Sequence, residues 1–369
     1  MSDFQEMRVR ISPLMTFAVL LVIGIGIAYL IPPYEAVKFC GPSGYLAVPA
    51  SALLIVPLIL LLIALERRFP HDNLLIAAEK VFGKFLGKVG NLLFLFLLIG
   101  YIIFGTRNAA ELISTYLLDA TPNWAVICLI LTSSGLLAFN GLVGVSRLAG
   151  FIFIPTIAFR LLMLLVATQG LEWDHLLPVF SAQPLDYLKA GSTLVVIYAP
   201  WLISLFFIYP LLSKPQKLKP ICFGLLGVQA LLLFLSVAIM IGVFGVRGVP
   251  SYTWPVYEAV RRIDIPLLAL NQIGLLFLIV WFTLFLTALA FFLYIYASSL
   301  RLIFQSYDYR WWLLGICLLT GAGAIIIPDL FVDVQILTYL RLYALIILYA
   351  YPFLVYLGAL LGKKGVRRG

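Results

Sequence analysis

Charged residues are scarce in this chain, and their scarcity excludes a soluble protein. Aspartate, glutamate, lysine and arginine make up 11% of the 369 residues, whereas soluble globular proteins carry about 25%. So few charges leave too little polar surface for a chain of this length to be stable in water. Hydrophobic residues make up 63% of the sequence, and the mean hydropathy is +1.10. We therefore expect an integral membrane protein.

The residue types that hold metals or form disulfides are also few and scattered. The four cysteines lie far apart, three of them in apolar runs, and the two histidines form no cluster with cysteines or carboxylates at metal-ligand spacing. This arrangement indicates neither a disulfide framework nor a metal site. The sequence also lacks a recognisable pair of catalytic carboxylates and a nucleophile–base pair. We expect neither an enzyme nor a bound cofactor.

The net charge of +9 comes from basic residues that lie between apolar runs rather than in one patch. This distribution favours contact with an anionic lipid surface over nucleic acid. If the N-terminus is cytoplasmic, seventeen of the 25 lysines and arginines fall in inner segments and only five in outer ones. The positive-inside rule then places both termini in the cytoplasm.

Ten apolar runs are long enough to be membrane-spanning helices, which need about 20 residues. Nothing in the sequence alternates like a barrel strand, so we expect an all-α protein with ten transmembrane helices in one membrane domain, 1–369. The runs are 12–31, 45–65, 90–117, 123–140, 149–169, 187–211, 219–245, 267–300, 311–328 and 335–361.

The first inner loop contains an amphipathic segment. In "ERRFPHDNLLIAAEKVFGKFLGKVG", apolar residues recur at helical spacing with lysines on the other side. This pattern predicts an interfacial helix over about 72–88. Its role is open between an anchor on the membrane surface and a helix that docks a partner.

The ten runs divide into two halves of five, about 12–169 and 187–361, which predicts an inverted repeat because an odd number of spans reverses the orientation. The first run is interrupted at Gly24-Ile25-Gly26 and the sixth at Tyr198-Ala199-Pro200-Trp201. Paired interruptions of this kind favour a midplane binding site lined by bare backbone. The alternative for the two glycines is close helix packing.

Ionisable residues inside the runs are costly in hydrocarbon and should face the bundle interior. Arg107 and Glu111 are one turn apart and form a predicted pair. We expect a structural role for this pair, and the alternative is a proton relay. Arg160 lies near the predicted midplane, where a structural and a functional role are equally open. Thr283 and Thr287 share a helix face and could bond a ligand or helix carbonyls.

Several segments resemble the B subunits of bacterial spore germinant receptors, the endospore germination permease family of the amino acid–polyamine–organocation superfamily. The opening span "ISPLMTFAVLLVIGIGIAYLIPP" is similar to that of the family. The same holds for "RRFPHDNLLIAAEKVFGKFLGKVGNLL", "LPVFSAQPLDYLKAG", "FFIYPLLSKPQKLKP" and "TWPVYEAVRRIDI". Their order and spacing extend the resemblance over nearly the whole chain.

The resemblance implies a LeuT-like fold, with broken first and sixth helices, that serves as a receptor in the inner spore membrane. It also implies a small nutrient ligand, commonly an amino acid, and two partners, an A-type membrane subunit and a C-type lipoprotein. The ligand pocket is expected between the first, third, sixth and eighth spans. The corresponding residues are Gly24, Ile25, Gly26, Ile27, Tyr101, Tyr198, Ala199, Pro200, Trp201, Thr283 and Thr287.

Trp201 departs from the family pattern, because many relatives carry a glutamate at this point. An indole in place of a carboxylate predicts a less cationic or more apolar ligand. The alternative function is an amino-acid permease that transports through the same pocket by alternating access.

Overall fold

The computed structural model of the chain describes residues 10–28, 32–262, 273–328 and 330–362. Helices dominate these residues because a helix pairs its backbone N–H and C=O groups within one segment, as hydrocarbon requires. An isolated parallel bridge joins Ile11 to Leu212.

The first half of the chain contains seven α-helices within the described residues. They are α1 (Pro13–Ala28), α2 (Pro32–Cys40), α3 (Ala47–Arg68), α4 (Leu74–Phe82), α5 (Lys84–Tyr116), α6 (Asn123–Phe139) and α7 (Gly141–Ala167). The described residues of the second half form seven more α-helices. They are α8 (Pro184–Leu194), α9 (Ala199–Ile208), α10 (Leu218–Gly248), α11 (Pro255–Arg261), α12 (Ile273–Phe304), α13 (Tyr309–Ile326) and α14 (Leu330–Leu361).

Among the described residues, seven helical segments are long and apolar enough to cross a membrane. A bent pair, Pro184–Ile197 and Ala199–Leu211, passes the same test together, and two shorter apolar helices cover Pro13–Gly26 and Asn123–Phe139. Each of the ten predicted runs overlaps one of these helices or the pair. The chain is thus a multi-pass helical membrane protein, and the count of ten crossings stays a prediction.

Helix α1 lies in the interior of the bundle, packed against α7, α9, α10 and α12. Residues 19–23 of this helix are each at most 1% exposed. A helix that is apolar on all sides is expected in such a buried position. Helix α9 is similarly placed, since all ten of its residues are buried. The interior of the protein is therefore built around the two segments in which the sequence places the predicted interruptions.

The predicted interfacial segment, 72–88, forms two elements. Asn73 caps α4 by accepting a hydrogen bond from the Ile76 N–H, and α4 ends at Phe82 because Gly83 adopts a φ of +83°, which favours glycine. The residues from Lys84 onward belong to α5. The apolar side of α4 is buried against α5 and α14 of the same chain. Its place at the membrane surface stays a prediction.

Candidate ligand-binding site

The sixth predicted span is bent at Tyr198. Helix α8 tightens into a 3₁₀ turn over Val195–Ile197, α9 begins at Ala199, and the two segments meet at an angle of 48°. Pro200 lies in the first turn of α9, where its missing N–H would have no helical partner in any case. The bend therefore occurs where the sequence predicts an interruption, and the proline fits its position.

The side chains at this bend are fully buried. The Tyr198 hydroxyl lies 3.3 Å from Ser51 Oγ of α3, and Ser204 Oγ donates to the Pro200 carbonyl at 2.7 Å. Trp201 is 0% exposed, and its Nε1 has no hydrogen-bond acceptor among the described residues. A buried N–H without an acceptor costs about 1–3 kcal/mol. Trp201 thus brings an indole donor to the interior next to the bend.

The interruption predicted at Gly24-Ile25-Gly26 is wrong. Helix α1 continues through these three residues and ends at Ala28. Residues 29–31 lie outside the described part of the chain, and α2 begins at Pro32. Ile27 is in the last turn of α1, and its side chain lies outside the described residues. Glycine lowers helix stability by only about 1 kcal/mol relative to alanine, which tertiary packing overrides here.

Both glycines instead mark close approaches of other helices to α1. A Cβ atom on Gly24 would lie 1.6 Å from Nε2 of Gln229, which reaches over from α10. A Cβ atom on Gly26 would lie 2.8 Å from the carbonyl oxygen of Leu284 in α12. The close-packing alternative for the glycines therefore has a direct geometric basis. If Gly24 or Gly26 also binds a ligand, it must do so beside Gln229 and Leu284.

The two threonines of α12 bond to their own helix. Thr283 Oγ1 donates to the Ile279 carbonyl at 2.9 Å, and Thr287 Oγ1 donates to the Thr283 carbonyl at 2.8 Å. Each hydroxyl keeps acceptor capacity for another donor. In this conformation the threonines could accept a hydrogen bond from a ligand, and donating one would require rotation of the hydroxyl.

The structure brings the four predicted segments into contact. Tyr101 of α5 donates from its hydroxyl to the Val196 carbonyl at the bend, at 3.5 Å. Gly105, one turn further along α5, lies against the Phe285 ring of α12. Gly26 joins α1 to α12, and α1 also packs on α9. The four predicted segments therefore meet, with Tyr101, Tyr198 and Trp201 buried, and the ligand-binding role of their individual residues stays a prediction.

Open space lies in a cleft between α1, α7 and α12. Its cavity volume is about 20 Å³, room for about one water molecule. The residues that line it are Ile25, Thr156, Phe159, Arg160, Phe277, Val280, Trp281 and Leu284. Only Ile25 and Arg160 were predicted as site residues. The others follow helical spacing on α7 and α12, which is the signal that could have identified them.

Arg107 and Glu111 form the predicted ion pair. Arg107 also donates from Nε to the Ile327 carbonyl at 3.1 Å, just beyond the end of α13. Asn123 Nδ2 donates to Glu111 at 2.7 Å. A cation at a helix C-terminus satisfies carbonyls that lack helical partners. The pair therefore ties α5 to the start of α6 and to the end of α13.

A second polar cluster lies at α11. The Tyr116 hydroxyl donates to Glu258 at 2.6 Å, and Arg261 donates to the same carboxylate at 3.2 Å. This hydrogen bond and the negative charge of Glu258 raise the pKa of Arg261. Tyr257, also in α11, contacts Phe277 of α12, and their ring centroids are 6.1 Å apart. The cluster thus lies next to Phe277, which lines the cleft. Within the described residues, no group of three or more His, Cys, Asp or Glu side chains is placed to hold a metal.

Comparison with solved structures identifies the fold. The chain is similar to the transporter Mhp1 of the nucleobase-cation-symport-1 family, in a closed conformation with bromovinylhydantoin bound. The TM-score is 0.67 at 17% identity over 93% of this chain and 78% of Mhp1. It is also similar to MhsT in complex with L-phenylalanine, with a TM-score of 0.64 at 13% identity over 92% and 87% of the two chains. These likenesses show a LeuT-like transporter fold.

Comparison of sequences identifies the family. Spore germination protein YndE of Bacillus subtilis (strain 168) is 26% identical over 261 residues, which is 70% of each chain. Spore germination protein B2 of the same organism is 23% identical over 259 residues, again 70% of each chain. The family model described as spore germination protein matches residues 10–328. The chain therefore belongs to the spore germination permease family.

Proposed function

We propose that this protein is the nutrient-sensing membrane subunit of a spore germinant receptor, and that its ligand is an amino acid. The observation that carries the proposal is the bend at Tyr198, which lies beside the buried helix α1 in a chain with a transporter fold. Backbone groups at such a bend can hold a zwitterion without charged side chains. Membership of the germination family supports a sensing role.

The proposed architecture has ten membrane crossings arranged as two inverted halves, about 12–169 and 187–361, with both termini in the cytoplasm. The proposed ligand contacts α1 at Gly24–Ile27, α5 at Tyr101, the bend at Tyr198–Trp201, and α12 at Thr283 and Thr287. The convergence of these four segments supports this site. The charge network of Arg107, Glu111 and Arg160 supports the helices around it.

Signalling would follow from a ligand-dependent change of conformation. Tyr101, Tyr198 and Trp201 are buried in this conformation, so a ligand that contacts them would select a more open state. A ligand shifts the equilibrium only by its difference in affinity for the two states. An A-type membrane subunit and a C-type lipoprotein, in the inner membrane of the spore, would read that shift.

The second candidate function is an amino-acid permease. It is favoured by the likeness to transporters such as Mhp1 and MhsT across more than nine-tenths of the chain. Both functions need the same site, because a transporter must also bind its substrate between two states of the bundle.

Uptake measurements distinguish the two functions. The purified full-length protein is reconstituted in liposomes and offered radiolabelled amino acids, with and without an imposed proton or sodium gradient. For a receptor we expect saturable binding and no accumulation above the outside concentration. Gradient-driven accumulation would establish the permease instead. If no amino acid binds, an amino-acid ligand is ruled out for either function.

The ligand preference can be predicted from Trp201. Because an indole occupies this fully buried position, we expect apolar amino acids to bind at least tenfold more tightly than lysine or arginine. Isothermal titration calorimetry of the purified protein with a panel of L-amino acids measures this ratio. Trp201→Leu should weaken the apolar preference, and Trp124→Leu is the matched control because Trp124 is 58% exposed. Tightest binding of basic amino acids would contradict the prediction.

A further inference from the structure

The first turns of α5 carry exposed apolar side chains next to lysines. Phe85 is 79% exposed and Leu86 is 63% exposed, and Lys84 and Lys88 lie one turn apart on the same helix. Exposed apolar side chains that are contiguous mark a surface for a membrane or for a protein partner. The apolar side of α4, by contrast, is buried within the chain. The start of α5 is therefore the part of this inner segment that offers an apolar surface.

The exposed apolar face continues along α5 into the membrane-spanning part of the helix. Its residues recur at intervals of three and four, which places them on one side of the helix; they are Phe85, Val89, Leu92 and Phe96. Lysines near the end of a membrane helix direct their ammonium groups to the lipid headgroups while their stems lie along apolar surface. Because the face is continuous, the lipid that covers its middle also covers its end, where the lysines lie.

Positive charges lie on the outside of this end of the bundle and negative charges lie inside. Arg67, Lys80 and Lys84 are exposed, whereas Glu66 and Asp72 are buried. The buried Asp72 is paired with Lys80, whose ammonium group lies 2.5 Å from its carboxylate. The surface that a partner meets at this end is therefore positive, which favours an anionic partner.

The two lysines of α5 share one carboxylate. A Cβ atom on Gly87 would lie 2.6 Å from Cα of Glu79, so α4 crosses α5 between Lys84 and Lys88. Burial raises the pKa of the Glu79 carboxyl, and the positive charges of both lysines partly offset this effect. Two lysines beside one carboxylate leave a net positive charge next to the apolar face.

The end of α14 adds to the positive charge. A Cβ atom on Gly358 would lie 2.6 Å from the Val81 side chain near the end of α4, and Arg68 Nη2 donates to the Ala359 carbonyl at 2.5 Å. Helix α14 ends at Leu361, and the sequence then continues with Lys363, Lys364, Arg367 and Arg368. A helix that ends beside α4 is thus followed in the sequence by four more cations.

We propose that the first turns of α5 bind an anionic phospholipid, with Lys84 and Lys88 at its phosphate and Phe85 and Val89 along its acyl chains. Charge complementarity and the continuous apolar face together select a lipid, because a soluble anion makes no use of the apolar side chains. The proposal is independent of nutrient sensing and holds for a receptor and for a permease. It assigns lipid contact to the segment whose role the sequence leaves open, and it places that contact on α5.

Native mass spectrometry of the full-length protein tests the proposal. The protein is released from detergent micelles that contain phosphatidylglycerol or phosphatidylcholine with the same acyl chains. Each lysine near an anionic lipid surface strengthens the attraction about fivefold, so we expect the first phosphatidylglycerol to bind at least tenfold more tightly than the first phosphatidylcholine. Equal binding of the two lipids would overturn the proposal. Competition by glycerol phosphate at the concentration of the lipid would also overturn it, because the site would then bind a soluble anion.

Variants of the two lysines locate the site. Lys84→Gln combined with Lys88→Gln should reduce the preference for phosphatidylglycerol at least fivefold, whereas the same pair changed to arginine should retain it. Lys214→Gln combined with Lys217→Gln is the matched control, because both lysines are exposed and the neighbouring Leu218 is buried. An unchanged preference in the first variant, or an equal loss in the control, would show a general effect of positive charge and overturn the site on α5.

Discussion

Arg107→Met is expected to lower the free energy of unfolding by about 2–3 kcal/mol, because it leaves Glu111 without its cationic partner. Removing one partner of a fully buried pair typically costs roughly 3–5 kcal/mol. The side chain of Arg107 is 6% exposed and that of Glu111 is 26% exposed, and Glu111 keeps the hydrogen bond from Asn123, so the expected loss is smaller. The variant also removes the hydrogen bond to the Ile327 carbonyl. Equilibrium unfolding of the purified protein in mixed micelles measures the change.

Two further variants identify the source of the effect. Arg107→Met combined with Glu111→Met should cost less than the sum of the two single variants, since neither charge is then left alone. The exposed pair of Lys189 and Asp186, 3.1 Å apart, provides the matched control. Lys189→Met should change the free energy of unfolding by less than about 1 kcal/mol. A cost for Arg107→Met no greater than this control would contradict a structural role for the ion pair.

The ion pair illustrates how much of the site follows from the sequence. Arg107 and Glu111 are four residues apart, so helical periodicity alone predicts that they share a face and pair. Their contacts with Asn123 and Ile327 depend on how α5 packs against α6 and α13. Local periodicity carries no information on that packing. The ion pair can thus be predicted from the sequence, whereas its contacts with α6 and with the end of α13 cannot.

Proline and glycine differ in what they reveal about a helix. Pro200 lacks an N–H and restricts its own backbone, so the sequence predicts the bend at Tyr198. Glycine permits a break, a close approach or an ordinary helix, and only the neighbouring helices decide among them. The predicted interruption at Gly24-Ile25-Gly26 is therefore wrong, and the alternative of close helix packing agrees with the contacts of both glycines.

The cleft was missed because its residues are mostly apolar. Phe277, Val280, Trp281 and Leu284 repeat at intervals of three and four residues, which places them on one face of α12. The same spacing relates Phe159 and Arg160 of α7 to Thr156. Helical spacing identifies each face but does not show that the two faces leave space between them. Arg160 was the only strong signal, because a charge within a membrane helix is costly.

The two glycines of α1 should respond differently to the same substitution. Gly26→Ala places a Cβ atom 2.8 Å from the backbone carbonyl of Leu284, which can move only with the whole of α12. Gly24→Ala meets the amide end of Gln229, a flexible side chain that can rotate away. We expect Gly26→Ala to cost about 1–3 kcal/mol, as overpacking does, and to abolish ligand binding. Gly24→Ala should cost less and bind ligand with reduced affinity.

Gly227→Ala is the matched control for both variants, because a Cβ atom on Gly227 has no heavy atom within 4 Å. Since alanine favours a helix by about 1 kcal/mol over glycine, this variant should be as stable as the wild type or more so, with unchanged binding. Unfolding midpoints and amino-acid titrations of the three proteins measure the differences. If Gly26→Ala instead has the stability and the ligand affinity of Gly227→Ala, the prediction is wrong. Close packing between α1 and α12 would then not be the reason for glycine at position 26.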